Sequence, residues 1–123
     1  MLLCPPSDGV FALARDRGYL APGLCPSGLT PLLKTIAAMS GDTVAIDAVV
    51  RINGQVIVDT DVFQTDREGR PLPRAEDGLL GPGDVFLLSD AAPHGFDSRY
   101  FGAVPESWIV ASIEPVWIHD RTR

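Results

Sequence analysis

Short segments in which apolar and polar residues alternate recur along the chain, and their two-residue period is typical of β-strands. One such strand is predicted from Leu32 to Ala38. Its two faces contain, respectively, Leu32, Lys34, Ile36 and Ala38, and Leu33, Thr35 and Ala37. Lys34 therefore shares its face with apolar side chains, although a lysine in a strand is more often a solvated edge residue.

A β-hairpin is the most specific structural signal in the sequence. Asn53-Gly54 separates two runs rich in β-branched residues, Thr43–Ile52 and Gln55–Val58. An Asn-Gly pair in this setting is a strong indication of a hairpin with a two-residue turn. Such a turn pairs Ile52 with Gln55, Arg51 with Val56, Val50 with Ile57 and Val49 with Val58.

One short helix is predicted near the N-terminus, from Ser7 to Arg17, where the apolar residues follow helical spacing. Ser7 or Asp8 can serve as its N-cap. Gly18 stands where a glycine commonly ends a helix. About three turns of helix are marginal in isolation, so this helix must pack against a sheet.

Two further strands are predicted, at Val85–Leu88 and at Ser107–His119, the second either continuous or bent at Pro115. The intervening segment Thr60–Gly83 is polar and interrupted by glycines and prolines. Strands do not alternate with helices, so a parallel βαβ architecture is excluded. The predicted fold class is mainly β, with antiparallel sheets and one short helix near the N-terminus.

The chain of 123 residues has the length of a single domain, 1–123. Its formal charge of −6 excludes nucleic acid as a partner, because phosphate binding needs a basic surface. No apolar run reaches the roughly 18 residues of a membrane span, and no signal segment opens the sequence. Met1-Leu2-Leu3 is typical of the second half of a strand, so we expect an N-terminal portion of the domain to be missing.

Cys4 and Cys25 each precede a proline in irregular segments, outside the predicted strands. Two thiols allow one intramolecular bridge, and this placement indicates a disulfide and an oxidising compartment. The alternative is a pair of buried cysteines in a cytosolic protein. No metal site is predicted, because the cysteines and the distant His94 and His119 lack ligand spacing.

Two polar motifs carry the candidate chemistry. Asp97-Ser98-Arg99 lies between apolar residues, and taken alone it is most simply a turn with a local salt bridge. Lys34 through Asp42, however, resembles the lysine-bearing motif of the type I signal peptidases, in which a lysine and a few apolar residues precede Gly-Asp. Further segments resemble motifs of the same family in the same order: Ile52-Asn53-Gly54-Gln55, Gly69-Arg70-Pro71-Leu72-Pro73, Leu87-Leu88-Ser89-Asp90 and Asp97 through Val104. The cysteine pair, with Arg17-Gly18-Tyr19-Leu20 between its members, is most similar to the conjugative-transfer (TraF-type) branch.

The resemblance implies a coiled, barrel-like signal-peptidase fold and a serine endopeptidase with a Ser/Lys dyad and no cofactor. In such a dyad a serine hydroxyl attacks the scissile carbonyl, and a neutral lysine amine acts as the general base. Lys34 matches this lysine, which can act only if desolvation lowers its pKa below the free value of about 10.4. Asp97 and Arg99 would form a buried ion pair beside it, with Ser98 packed against them.

Two departures from the family pattern limit the expected activity. The nucleophilic serine of the family lies in a Ser-x-Met-x-Pro motif after a membrane anchor, and this chain contains neither, so we expect the chain alone to be inactive. Gly95 stands where the family commonly has a small hydroxyl residue that orients the lysine. Ser89, Ser98 or a water molecule is expected to take that role.

By the resemblance, the parent protein would remove leader peptides from exported pilin-like precursors at the periplasmic, extracytoplasmic face of the cytoplasmic membrane. The missing anchor would tether it there, and the leader or pre-pilin peptide would bind as an extended β-strand. One alternative is a catalytically inactive β-domain that serves as a binding or scaffold module in a secretion or conjugation assembly. Another is a self-cleaving repressor-type domain, against which the expected disulfide and the lack of a DNA-binding segment count.

Overall fold

The computed structural model describes residues 1–89 and 95–111. Within these residues the chain forms three antiparallel sheets, two α-helices and one 3-10 helix. The strands are β1 (Leu2–Leu3), β2 (Leu32–Leu33), β3 (Thr35–Met39), β4 (Thr43–Ile46), β5 (Val50–Ile52), β6 (Gln55–Val56), β7 (Gly78–Leu79), β8 (Asp84–Leu88), β9 (Val104–Pro105) and β10 (Ile109–Ala111). The helices are α1 (Gly9–Asp16), α2 (Ser98–Phe101) and the 3-10 turn Glu106–Trp108. The predicted class, mainly antiparallel β with a short helix near the N-terminus, is confirmed.

The three sheets have the strand orders β10-β1-β2, β3-β8-β9 and β6-β5-β4-β7. In residues 1–89 and 95–111 they do not close into a barrel. Strand β8 divides the core, since its residues are buried on both faces. Val85 and Leu87 contact one cluster of apolar residues, and Phe86 and Leu88 contact the other. The continuous apolar run of the sequence is thus a strand covered on both sides.

Helix α1 packs against the first of these clusters through Phe11 and Ala14. The ring of Phe11 lies 5.0 Å from that of Phe101 and 5.8 Å from that of Trp108. Gly18 follows the helix with φ +81°, as predicted for its C-terminal glycine. Neither α1 nor the other helical turns in the described part of the chain have the length and apolar character needed to cross a membrane.

The predicted hairpin is confirmed at its turn. Arg51 pairs with Val56 and Ile52 with Gln55, and Asn53 and Gly54 both have positive φ angles. Strand β6 ends at Val56, so the predicted pair between Val49 and Val58 does not form.

The prediction of one strand over Thr43–Ile52 was wrong. The segment folds back on itself as β4 and β5, with Val44 opposite Ile52 and Ile46 opposite Val50. A tight turn joins the two strands, and the carboxylate of Asp47 closes it by accepting a hydrogen bond from Val49 N at 3.2 Å.

The predicted strand Leu32–Ala38 is divided between two sheets. β2 pairs with β1, whereas β3 pairs with β8, and the register of the second pair shifts between Ile36 and Ala38. Because of this β-bulge, Ile36 contacts the first core cluster and Ala38 belongs to the second. The prediction that Ala38 shares the face of Leu32 was therefore wrong.

Two other segments differ from their predictions. Thr60–Gly83, described from the sequence only as polar and interrupted by glycines and prolines, contributes β7 to the edge of a sheet. The predicted strand Ser107–His119 begins as a 3-10 turn and becomes the short strand β10, and its remainder lies outside the described residues. Asp97-Ser98-Arg99, expected in a loop, opens the single-turn helix α2.

Cys4 and Cys25 form a disulfide with their Cα atoms 5.5 Å apart, which confirms the predicted bridge. Cys4 immediately follows β1, and Cys25 lies in the irregular segment before β2. The segment between the two cysteines contains α1, so the bridge holds this segment close to the sheet β10-β1-β2.

Removing the bridge is expected to destabilise the fold by about 3 kcal/mol, because a crosslink spanning 21 residues restricts the unfolded chain. Urea titration of a Cys4→Ala/Cys25→Ala variant measures this loss in the free energy of unfolding. A reducing agent should destabilise the unaltered protein by a similar amount and leave the double variant unchanged. A loss below about 1 kcal/mol would contradict the prediction.

Candidate active site

Lys34 and Ser89 meet at the end of the β3–β8 pair. Thr35 is opposite Leu88 in the antiparallel register, so the next position along brings Lys34 opposite Ser89. Side chains opposite each other project from the same face. Lys34 Nζ donates a hydrogen bond to Ser89 Oγ over 2.8 Å.

The backbone of Lys34 pairs with Met1, which directly precedes β1. Lys34 N donates to Met1 O over 2.9 Å, and Met1 N donates to Lys34 O over 2.6 Å. The residue thus bridges two sheets, with its main chain paired to the β1 side and its side chain directed at the end of β8.

Burial lowers the pKa of Lys34 below its ordinary value of 10.5, because the ammonium loses water contacts. The negative charge of Asp97 opposes this shift, and the positive charge of Arg99 adds to it. A larger fraction of the amine is consequently neutral near physiological pH than for an exposed lysine, as a general base requires. Lys34 is also the only lysine in the sequence, in which the other basic side chains are nine arginines and two histidines.

Asp97 and Arg99 form an ion pair that is almost fully excluded from water. Arg99 Nε and Nη2 donate to the two carboxylate oxygens of Asp97 over 2.8 and 2.9 Å. Asp97 is fully buried, and Arg99 is 1% exposed. The same carboxylate accepts a hydrogen bond from Ser89 N over 2.8 Å. The ion pair therefore fixes the backbone of the residue whose hydroxyl contacts Lys34.

Ser98, the third member of this motif, acts elsewhere. Its Oγ accepts a hydrogen bond from Leu87 N over 2.9 Å, which attaches α2 to the centre of β8. Of the predicted site residues, Lys34, Ser89, Asp97 and Arg99 thus form one hydrogen-bonded network. Ser98 lies outside this network and binds the backbone of β8.

Two contacts of Arg99 could not be inferred from side-chain patterns. Its Nη1 donates to the main-chain oxygen of Asp61 over 2.7 Å, and its Nη2 donates to that of Gly95 over 3.1 Å. Main-chain acceptors carry no sequence signature, so the loop at Asp61 was missed. Gly95, noted for its lack of a hydroxyl, contributes through its carbonyl instead.

An open groove of about 360 Å³ lies directly beside Ser89. Its lining consists of Thr35, Ala37, Ile57, Val58, Asp59, Thr60, Leu88 and Ser89. Thr60 shapes one wall, since its hydroxyl accepts a hydrogen bond from Val50 N and donates one to Ile57 O. The groove is shallow and has several small side chains. No cluster of three or more potential metal ligands occurs among residues 1–89 and 95–111.

Comparison with known proteins gives one family and several relatives. The family described as "Signal peptidase, peptidase S26" matches residues 8–118. The "Plasmid transfer protein TraF" of Escherichia coli is 44% identical over 119 residues, which cover 94% of this chain and 67% of the relative. The "Conjugal transfer protein TraF" of Agrobacterium tumefaciens (strain 15955) is 44% identical over 117 residues, covering 95% and 66%. The "Probable conjugal transfer protein TraF" of Sinorhizobium fredii (strain NBRC 101917 / NGR234) is 34% identical over 116 residues, covering 94% and 61%. The chain thus spans about two thirds of the length of these relatives.

Lys34 is expected to titrate below its ordinary pKa. Selective labelling with isotopic lysine gives a single side-chain amine signal, whose pH midpoint NMR can follow. The same chain unfolded in urea is the control and should titrate near 10.5. Because the unfolded state then retains the proton to higher pH, the free energy of unfolding should rise with pH between the folded and the unfolded midpoint. Equal midpoints in the two states would contradict the predicted desolvation.

Asp97→Asn is expected to lower the free energy of unfolding by about 3–5 kcal/mol, since it removes the buried carboxylate charge that pairs with the guanidinium of Arg99 over 2.8 and 2.9 Å. Asp16→Asn provides a matched control, because Asp16 pairs with Arg15 at the surface, where such pairs contribute about 1 kcal/mol or less. Urea unfolding at pH 7 measures both. Similar losses in the free energy of unfolding for the two variants would show that the buried pair contributes no more than the surface pair.

Proposed function

Because the chain belongs to the signal peptidase family, peptidase S26, we propose that it is the catalytic β-domain, 1–123, of a serine endopeptidase with a Ser/Lys dyad. Lys34 is the general base in this proposal. The main support is the side chain of Lys34, the only lysine of the chain: it is partly desolvated and donates a hydrogen bond to Ser89, which lines the groove. The serine nucleophile is supplied from outside these 123 residues.

The proposed reaction proceeds through an acyl-enzyme. The neutral amine of Lys34 accepts the proton of the serine hydroxyl as the serine oxygen attacks the scissile carbonyl. The resulting ammonium donates that proton to the leaving amine when the peptide bond breaks. A water molecule, deprotonated by the same amine, then releases the leader and restores the serine.

Ser89 is the positioning residue for Lys34. By accepting a hydrogen bond from Nζ over 2.8 Å, its hydroxyl fixes the position of the amine at the end of β8. Asp97 acts through Ser89, whose amide it binds. This arrangement supplies a hydroxyl without any side chain at Gly95.

The substrate is proposed to bind as an added strand. Strand β3 lies at the edge of the sheet β3-β8-β9, so within the described part of the chain one side of its backbone is not paired in that sheet. An extended peptide can hydrogen-bond to such an edge. The groove beside it would accept small side chains next to the cleaved bond, because Thr35 and Ala37 leave space there.

The names of the relatives suggest the biological setting. They refer to plasmid or conjugal transfer, which supports a pilin-like precursor of a conjugation apparatus as the substrate. Its leader would be removed at the extracytoplasmic face of the cytoplasmic membrane, with the tether outside the present chain. The disulfide is consistent with that oxidising compartment.

The test joins this chain to the part of the Escherichia coli relative that lies outside the matched region, in the order of the relative, and measures cleavage of a pilin-like precursor by gel shift. Cleavage is expected, and Lys34→Met should reduce its rate by at least about 100-fold, since a general base contributes roughly that much or more. Arg15→Gln, a surface change on α1, is the control and should leave the rate unaltered.

Three outcomes would contradict the proposal. Cleavage by the 123-residue chain alone would refute an external nucleophile. Cleavage that survives Lys34→Met would refute the dyad. A joined chain that folds, binds the precursor and does not cleave it would instead favour the binding or scaffold module.

A further inference from the structure

A second cavity lies outside the Lys34 network. It has a volume of about 570 Å³, within the range of ligand pockets, and is open on one side. It forms between the turn that follows α1, the loop at residues 63–72 and the segment that precedes α2. Neither Lys34 nor Ser89 lines it, and we refer to it as the arginine-rimmed pocket.

Aromatic rings form the floor of the arginine-rimmed pocket. The ring of Phe96 lies 5.3 Å from that of Tyr19 and is stacked at 5.9 Å on that of Tyr100. Phe63 and Leu72 extend this apolar floor. Phe96 and Tyr100 are themselves buried, so the accessible floor, to which Tyr19, Phe63 and Leu72 contribute, suits a large apolar side chain through burial of apolar area.

The described residues at the rim of the pocket carry an excess of positive charge. Asp66 is already bound, since its Oδ2 accepts hydrogen bonds from Tyr19 Oη over 2.6 Å and from Arg70 Nε over 2.7 Å. The hydrogen bond from Tyr19 has the largest effect in lowering the pKa of Asp66, and the bonds from Arg70 add to it. The carboxylate therefore remains ionised and engaged with these two side chains. Glu68 Oε2 lies 3.6 Å from Arg70 Nη2. The acidic groups of the rim are therefore directed at one of its arginines.

Arg17 and Arg67 are the cations that remain. Arg17 Nη1 donates to Pro71 O over 2.7 Å and to Tyr19 Oη over 3.2 Å, both uncharged acceptors. No carboxylate of the described residues forms an ion pair with Arg17 or Arg67. Among the described residues of the rim, three arginines stand against Asp66 and Glu68, which is a net positive charge on a chain whose formal charge is −6.

We propose that the arginine-rimmed pocket binds a peptide segment in which a carboxylate lies next to an aromatic or large aliphatic side chain. The apolar side chain would lie on the floor of the pocket beside Tyr19 and Phe63, and the carboxylate would pair with Arg17 and Arg67. The overall negative charge of the chain disfavours an extended polyanion such as nucleic acid, whereas a short acidic segment interacts mainly with the local cations.

The pocket would act as a docking site separate from the Lys34 network. Its wall includes Gly95 and Phe96, which directly precede Asp97. A bound segment would therefore contact the same stretch of chain that carries the buried ion pair. Binding of a segment in this pocket does not require peptidase activity.

The test uses the unaltered chain and two peptides, acetyl-Glu-Phe-Glu-Leu-amide and its basic counterpart acetyl-Lys-Phe-Lys-Leu-amide. Titration followed by amide NMR should show saturable binding of the acidic peptide only, with the shifts concentrated at Thr65, Gly95 and Phe96. Raising the salt concentration should weaken the binding, since the rim charges are accessible to solvent.

Arg67→Glu and Arg15→Glu form a matched pair of variants. Both change the net charge by the same amount at exposed positions, but only Arg67 lines the pocket. Arg67→Glu should weaken binding of the acidic peptide at least about threefold, in the range of a partly exposed ion pair, and Arg15→Glu should not. Equal weakening by the two variants, equal binding of the two peptides, no saturation, or shifts centred on Ser89 would overturn the proposal.

Discussion

The carboxylate of Asp97 is the one polar group on which the local architecture depends. It caps α2 by accepting a hydrogen bond from Arg99 N over 3.0 Å, it neutralises the guanidinium of the same residue, and it binds the amide of Ser89 at the end of β8. A buried ion pair of this kind adds little net stability relative to apolar packing, but breaking it is costly. Its effect here is geometric, because α2 and the end of β8 are both fixed to one buried acceptor.

This geometry determines the surroundings of Lys34. The side chain emerges where two sheets meet, with its backbone paired to Met1 and its amine facing Ser89. Partial burial disfavours the ammonium, while the nearby Asp97 and Arg99 act on the amine in opposite senses. The lowered pKa is therefore mainly a consequence of desolvation, and the hydrogen bond to Ser89 gives the amine its direction.

The parts of the fold that local chemistry specifies could be predicted from the sequence. The Asn53-Gly54 turn, helix α1 with Gly18 and the apolar strand β8 all follow from residues close together in the chain. The parts set by distant partners could not. The transfer of the chain from β2 to β3, and the bulge that places Ile36 and Ala38 in different clusters, depend on β1 and β8. An alternating pattern of apolar and polar residues predicts neither the change of sheet nor the bulge.

The candidate site shows the same division. Lys34, Ser89, Asp97 and Arg99 could be selected from sequence motifs, but the choice of Ser89 over Ser98 as the contact of the lysine required the β3–β8 register. The arginine-rimmed pocket was missed altogether, because the three segments that form it are far apart in the sequence and none carries a motif for a cavity.

Keeping a lysine partly out of water opposes folding, and a residue such as methionine would fill the same space without that penalty. Selection for stability alone would therefore be expected to remove Lys34 early from a copy of this domain released from its biochemical task. On the proposed role of Lys34 as general base, the residue at position 34 in natural variants distinguishes lineages that retain the dyad from those that do not. A variant that retains the Asp97–Arg99 pair but carries an apolar residue at position 34 would then have the fold without the proposed general base.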